Sequence, residues 1–152
     1  MRVLEQKKIA YTAHTYPHEE GMAVDGVTVA KSMGFDPAIV FKTLVARGAS
    51  KQYYVFDVPV AENLDLKKAA KAVGEKSIEM IHQKELLPLT GYVHGGCSPV
   101  GMKKLFPTVF HETAENLETM IVSAGKIGYQ VELAPHDLAA LVRAKFADII
   151  VE

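Results

Sequence analysis

A mixed α/β fold is predicted for this chain: one compact domain with a largely antiparallel sheet and helices packed around it. Three observations predict it. Apolar residues recur at helical spacing in some segments and alternate in others. The strand-like segments fall in pairs joined by short turns, which favours hairpins over a repeated strand–helix–strand unit. The length is 152 residues, 49% hydrophobic and 23% charged, and a chain of this size buries roughly 70% of its unfolded surface. No linker, repeat or low-complexity stretch divides it, so residues 1–152 read as one domain.

The elements follow in order. Residues 2–9 read as a short helix, with Val3 and Leu4 inward. Residues 11–16 (YTAHTY) have strand character and stop at Pro17, which cannot donate to a ladder. Residues 18–26 are polar and glycine-containing and read as loop. Val27, Ala30 and Met33 recur at helical spacing, and Gly34 suits the C-terminal cap. Residues 40–46 (VFKTLVA) and 52–58 (QYYVFDV) form a hairpin around Arg-Gly-Ala-Ser-Lys. Asn63 or Asp65 caps a helix with Leu66, Ala69, Ala70 and Val73 on one face and Gly74 at its end. Residues 82–89 read as another short helix. Strands are expected over 108–111, 119–123 and 129–133, the last two joined by a glycine-rich turn. Pro135 opens a final helix, a position that suits proline. Residues 147–151 close the chain as an apolar run.

The totals exclude several function classes. Net charge is −1, from 17 basic and 18 acidic residues, which argues against binding dominated by non-specific nucleic-acid contacts. A local basic patch remains open, and Lys103 and Lys104 form a pair. A single cysteine excludes an internal disulfide and a multi-cysteine zinc site. His14 and His18 flank a strand rather than share a helix face, so no metal site is expected. No apolar run is long enough to span a bilayer, and MRVLEQKKIAY is too charged for a secretory signal. No membrane association and a reducing cytoplasm are the expectation.

Two features carry possible chemistry. On the strand 40–46, Val40, Lys42 and Leu44 share one face and Phe41, Thr43 and Val45 the other. Lys42 therefore sits among apolar neighbours on a strand without an evident solvent face. Burying an unpaired ammonium is costly. Either the stem snorkels to water, or the head group points into a cleft that receives an anion or a carbonyl.

The second feature is Gly-Gly-Cys-Ser-Pro-Val-Gly at 95–101, which specifies a shaped loop and not a helix or central strand. It holds the lone Cys97 beside Ser98. A thiol hydrolase built on Cys97 is one reading. The other gives the work to backbone amides, with Cys97 filling space. Ser98 lacks the setting of a nucleophile elbow, because proline follows it. Tyr16 is either a core ring or a pocket wall. Ser123, Gly125 and Gly128 form a second cluster of small residues at a strand end.

The segments VFKTLVA, LDLKKAAKAVG (64–74), TGYVHGGCSPVGMKK (90–104), TMIVSAGKIG (119–128) and VELAPHDLA (131–139) occur in this order and spacing. With the HTY at 14–16, they closely resemble the YbaK family of aminoacyl-tRNA deacylases. The resemblance implies a partly closed mixed sheet with surrounding helices. It implies a hydrolase, needing no cofactor, that removes a wrongly attached amino acid from tRNA, cysteine on the proline tRNA first of all. It implies Lys42 as the catalytic residue. It implies Tyr16, Gly95, Ser123 and Gly125 as substrate-binding groups; Thr43, Gly96 and the Ser98 hydroxyl are read as binding groups beside them. The implied partners are the acceptor end of aminoacyl-tRNA and prolyl-tRNA synthetase. In the cysteine-specific branch the substrate's own thiol is implied to attack its ester. The family commonly carries an aliphatic residue where Cys97 stands, and the segment 17–26 departs most from its pattern. An alanyl-tRNA deacylase and a non-catalytic tRNA-binding module are the alternative readings.

Overall fold

The computed structural model describes residues 2–17 and 25–152. The loop expected over 18–26 lies, for residues 18–24, outside the described residues. The helices are α1 (Arg2–Gln6), α2 (Gly26–Ser32), α3 (Leu66–Val73), α4 (Gln83–Thr90) and α5 (Pro135–Val142). The strands are β1 (Thr12–Thr15), β2 (Phe41–Gly48), β3 (Tyr53–Pro59), β4 (Ile78–Met80), β5 (Thr108–His111), β6 (Met120–Ser123), β7 (Tyr129–Leu133) and β8 (Lys145–Ala147).

The strands form two sheets. One is three-stranded, ordered β1-β7-β6, and wholly antiparallel. The other is five-stranded, ordered β4-β2-β3-β5-β8. Its β4-β2-β3 part is antiparallel, while β3-β5 and β5-β8 are parallel. A parallel bridge between Val40 and Ile121 joins the sheets. The expected hairpins β2-β3 and β6-β7 are present. Neither β4 nor β8 was expected, and the parallel pairings make the sheet more mixed than paired hairpins alone would.

Local chemistry explains most boundaries. Asp25 caps α2 by accepting from the Thr28 N–H at 3.1 Å. Of the two candidate caps for α3, Asp65 is the one used; it accepts from the amides of Lys67 and Lys68 at 2.9 and 3.1 Å. Gly74 ends that helix with φ +74°, a conformation glycine adopts at little cost. The apolar tail divides. Residues 145–147 pair with β5, and Ile149 and Val151 bond back to Asp65 and Asn63.

The largest core cluster packs α5 and β5 against one face of the three-stranded sheet, through Leu4, Phe110, Met120, Val122, Leu133 and Leu138. A second joins α3 to one face of β2-β3, through Ala46, Phe56, Val58 and Ala69. A third covers the opposite face of that hairpin with α4 and the glycine loop, through Val45, Val55, Leu86 and Cys97. The hairpin β2-β3 is thus covered on both faces, which is why its sequence shows no polar side.

Candidate active site

β2 pairs with β3 along its whole length, but β4 reaches only its last three residues, Ala46 to Gly48. On that side Val45 O still accepts from Ile81 N–H at 3.4 Å and Val40 bridges Ile121, which leaves residues 42–44 as a short open edge among the described residues. This edge borders a cleft of about 520 Å³. The far wall comes from the three-stranded sheet through Tyr16, Ser123 and Gln130, and the rim includes Asp25 and Gly26 at the start of α2. The glycine loop contributes His94, Gly95 and Cys97.

Register decides what the edge presents. Val60 N–H donates to Val40 O at 2.8 Å, and Gly48 N–H to Gln52 O at 2.9 Å. Even-numbered residues of β2 are therefore the hydrogen-bonded pairs, and odd-numbered residues turn their backbone groups away from β3. Thr43 is odd, so its N–H and C=O face the cleft side. Its side chain lies in a non-hydrogen-bonded pair with Asp57, the class in which opposed side chains are closest. Thr43 Oγ1 donates to Asp57 Oδ1 at 2.5 Å.

Lys42 reaches the same cleft from the other face of β2. It is half-buried and makes no hydrogen bond or ion pair among the described residues. Burial lowers its pKa below the ordinary lysine value, and the charges of Asp25 and Glu62 partly restore it. An ammonium in that state is placed to receive an anionic or carbonyl oxygen.

Of the sequence-predicted site residues, Tyr16, Lys42, Thr43, Gly95 and Ser123 line the cleft. Gly96, Ser98 and Gly125 stand behind its wall. The Gly96 amide donates to Val93 O at 3.0 Å, so it has no proton to offer a substrate. A Cβ at Gly96 would meet Ile127 N at 3.1 Å and the Lys126 backbone at 3.3 Å. This glycine lets the loop press against the 126–127 turn. Ser98 is fully buried and its Oγ accepts from Val100 N–H at 3.2 Å. Gly125 has φ +101° and lies where a Cβ would sit 2.8 Å from the Tyr92 ring. All three shape the cleft without entering it. Gly95 differs: it is exposed, has φ +86°, and its amide has no backbone partner among the described residues.

Cys97 lies in the cleft wall but is 7% exposed. Burial, aided by the nearby Asp57 charge, pushes its thiol up to about 12. At neutral pH it holds its proton, whereas the nucleophilic form is the thiolate.

Residues 18–141 match the family of aminoacyl-tRNA editing domains. The chain belongs to that family. This editing domain is 45% identical over 149 residues to EbsC of Enterococcus faecalis, a candidate Cys-tRNA(Pro)/Cys-tRNA(Cys) deacylase, covering 98% of this chain and 90% of that one. It superposes with TM-score 0.82 on a crystal structure described as a candidate trans-editing enzyme for prolyl-tRNA synthetase. That pair shares 25% identity and covers 98% of this chain and 92% of the other. The hypothetical protein APE2540 shares the fold, with TM-score 0.87, 17% identity, and coverage of 99% and 97%.

The editing domain also holds groups that sequence reasoning passed over. Asp57 is fully buried, and burial raises its carboxyl to about 7 against the lowering effect of the Thr43 bond. Gln130 is buried at the cleft wall with Oε1 unpartnered. Both were legible. Asp57 is a lone acid in the apolar run YYVFDVPV, as Lys42 is a lone base in VFKTLVA. Gln130 and Glu132 alternate with apolar residues in YQVEL. Among the described residues no cluster of histidine, cysteine and carboxylates would hold a metal. None of their helices is long and apolar enough to cross a membrane.

Proposed function

We propose that this protein is a trans-acting deacylase that hydrolyses the aminoacyl ester of mischarged tRNA, with cysteine on the proline tRNA as its first substrate. The observation that carries the reading is that Lys42, half-buried and without a hydrogen bond or ion pair among the described residues, lines the same cleft as the exposed Gly95, in a chain of the editing family. The 45% identity to a candidate Cys-tRNA deacylase supports the choice of amino acid.

Lys42 holds the terminal phosphate or ribose by charge, and the Gly95 amide supports the ester carbonyl as negative charge develops on it. The Gly96 amide, committed to Val93, is no longer assigned that task. No protein side chain is assigned as nucleophile. The substrate's thiol attacks its own ester carbonyl; the C–S bond of a cyclic thioester forms as the C–O bond to the tRNA ribose breaks, the ribose oxygen leaves with the thiol's proton, and water then opens the thioester to free cysteine. The cleft supplies orientation, worth up to about 7–11 kcal/mol in favourable cases. Lys103 and Lys104 steer the acceptor stem, and prolyl-tRNA synthetase is the proposed partner, by likeness to the structure described as its trans-editing enzyme. The proposed compartment is the cytoplasm, where aminoacyl-tRNA is used.

The test is a deacylation panel of Cys-tRNA(Pro), Ala-tRNA(Pro) and correctly charged Pro-tRNA(Pro). Hydrolysis of the cysteinyl ester above the others is expected. Preference for the alanyl ester would reassign the substrate, and binding without turnover of any member would make the protein a tRNA-binding module.

A further inference from the structure

The short open edge of β2 leaves one residue's main chain unused. Even-numbered residues of β2 form the hydrogen-bonded pairs with β3, so odd-numbered residues turn their N–H and C=O outward. At one end of the gap Val40 bridges Ile121, and at the other Val45 O accepts from Ile81 N–H at 3.4 Å. Between them, neither the N–H nor the C=O of Thr43 has a backbone partner among the described residues. The cleft touches Phe41, Lys42, Thr43 and Leu44 in succession. Neighbouring residues of a strand point to opposite faces. A cavity that meets four in a row therefore runs along the edge of the strand, where the free N–H and C=O point. Such an edge is a template for an extended ligand.

An aminoacyl ester carries the same two groups as one residue of a strand: protons on the nitrogen of Cα and a carbonyl oxygen beside it. In an antiparallel ladder two opposed residues exchange both N–H···O bonds, so one residue on each side is enough. The direction of β2 fixes the orientation. The Thr43 C=O lies towards Leu44 and its N–H towards Lys42. The α-ammonium then sits at the Leu44 end and the ester at the Lys42 end, on the side where the ribose or phosphate is held. Opposed residues of a pair carry their side chains on the same face. For an L-amino acid this is the face of Thr43 and Val45, covered by Leu86 and Cys97. A D-amino acid making the same two bonds would send its side chain to the face of Lys42 and Leu44.

We propose that the Thr43 main chain receives the aminoacyl group as a one-residue antiparallel strand, its C=O accepting from the α-ammonium and its N–H donating to the ester carbonyl. The inference rests on the deacylase reading above. A carbonyl oxygen has two lone pairs, so the Thr43 N–H acts beside the Gly95 amide and does not replace it. The edge reads the L-α-amino ester itself, independently of which small side chain it bears.

The experiment uses tRNA(Pro) carrying L-cysteine through an uncleavable 3′-amide, with deacylated tRNA(Pro) as the reference. Hydrogen exchange of the Thr43 amide in the saturated wild-type complex, read by NMR, is expected to slow at least about fivefold relative to the reference, the worth of one net hydrogen bond. The Gly96 amide, already bonded to Val93 O at 3.0 Å, reports general tightening and should change less than about twofold. The D-cysteinyl and 3-mercaptopropionyl forms, which cannot make both bonds with the side chain on the Thr43 face, should protect Thr43 less. Protection of Thr43 no greater than that of Gly96, or equal protection by all three acyl groups, would overturn the edge pairing. Hydrolysis of Cys-tRNA(Pro) by the same preparation separates the two readings. With hydrolysis intact, an unresponsive Thr43 removes the pairing and leaves the deacylase standing. Without hydrolysis, the deacylase reading falls and the pairing falls with it.

Discussion

Lys42 and Asp57 are opposite charges on neighbouring strands, yet they do not pair; they point to different faces of the hairpin. Each is held in an environment that disfavours its charged form. For Lys42 the consequence is functional. Lys42→Ala is expected to lower kcat/KM for cysteinyl-tRNA by about 10²–10³-fold, the scale of losing one preorganised electrostatic group. Cys97→Ala should stay within about threefold of wild type, because its thiol is protonated where the enzyme works. Steady-state deacylation of both variants checks this, and a dead Cys97→Ala with an active Lys42→Ala would reverse the assignment.

For Asp57 the consequence is also thermodynamic. Its carboxyl sits at about 7 when folded and at 3.8 in the reference state. Below 3.8 both states are protonated and the group is neutral to stability. Between 3.8 and 7 the unfolded chain has released the proton and the folded one has not, so stability falls as pH rises. Above 7 the penalty is constant, of order 4 kcal/mol. The stability of Asp57→Asn relative to wild type should therefore climb through that window and level off above it. Urea unfolding at pH 5, 6, 7 and 8 measures the climb; parallel curves would mean that Asp57 is ionised throughout.

At the scale of elements, the cleft depends on a loop pressed against a turn. Gly96→Ala places a methyl 3.1–3.3 Å from the backbone at Lys126 and Ile127. Neither neighbour is a side chain that can swing away. The loop must lift, carrying Gly95 with it. The variant is expected to lose about tenfold in kcat/KM, since positioning errors at Gly95 act directly on the reacting ester, while thermal unfolding shifts by only a few degrees. Asp65→Ala is the contrasting case: it removes the α3 cap and should cost about 1 kcal/mol of stability with deacylation unchanged.

What was legible at this scale follows from what each element needed. The hairpins β2-β3 and β6-β7 were readable because turn and alternation are local signals. β4 and β8 have three residues each, too few to alternate visibly. They exist because β2 and β5 offer edges to pair with. The parallel contacts of β5 with β3 and β8 join segments separated by long crossovers, and no local pattern announces such a partner. Within the site, Lys42 stood out because a charge on an apolar strand is conspicuous. Asp57 obeyed the same rule fifteen residues later and was overlooked. Gly96, Ser98 and Gly125 were identified as important, but a glycine that contacts substrate and a glycine that admits a neighbouring backbone look the same in one dimension.

For the whole molecule, the near-neutral charge of −1 means that attraction to tRNA must come from a local group of cations. Lys103, Lys104 and Lys126 are exposed around the glycine loop and the turn that supports it. Lys104 lies over the Phe106 ring at 5.8 Å and Lys126 over Tyr129 at 5.6 Å. Their stems are thus held against the surface with the charges outward. Each lysine that meets a phosphate should release counterions and contribute roughly 0.7–0.9 to the slope of log affinity against log salt. The double variant Lys103→Ala/Lys104→Ala should then weaken binding of deacylated tRNA at low salt and flatten that slope by about 1.5. The single-turnover rate at saturating tRNA should be preserved, since neither residue lines the cleft. Filter binding across a salt series, together with single-turnover deacylation, separates the two effects. A slope equal to that of wild type would move the tRNA path to another face, whereas a lost single-turnover rate would place these lysines in the chemistry instead of the approach.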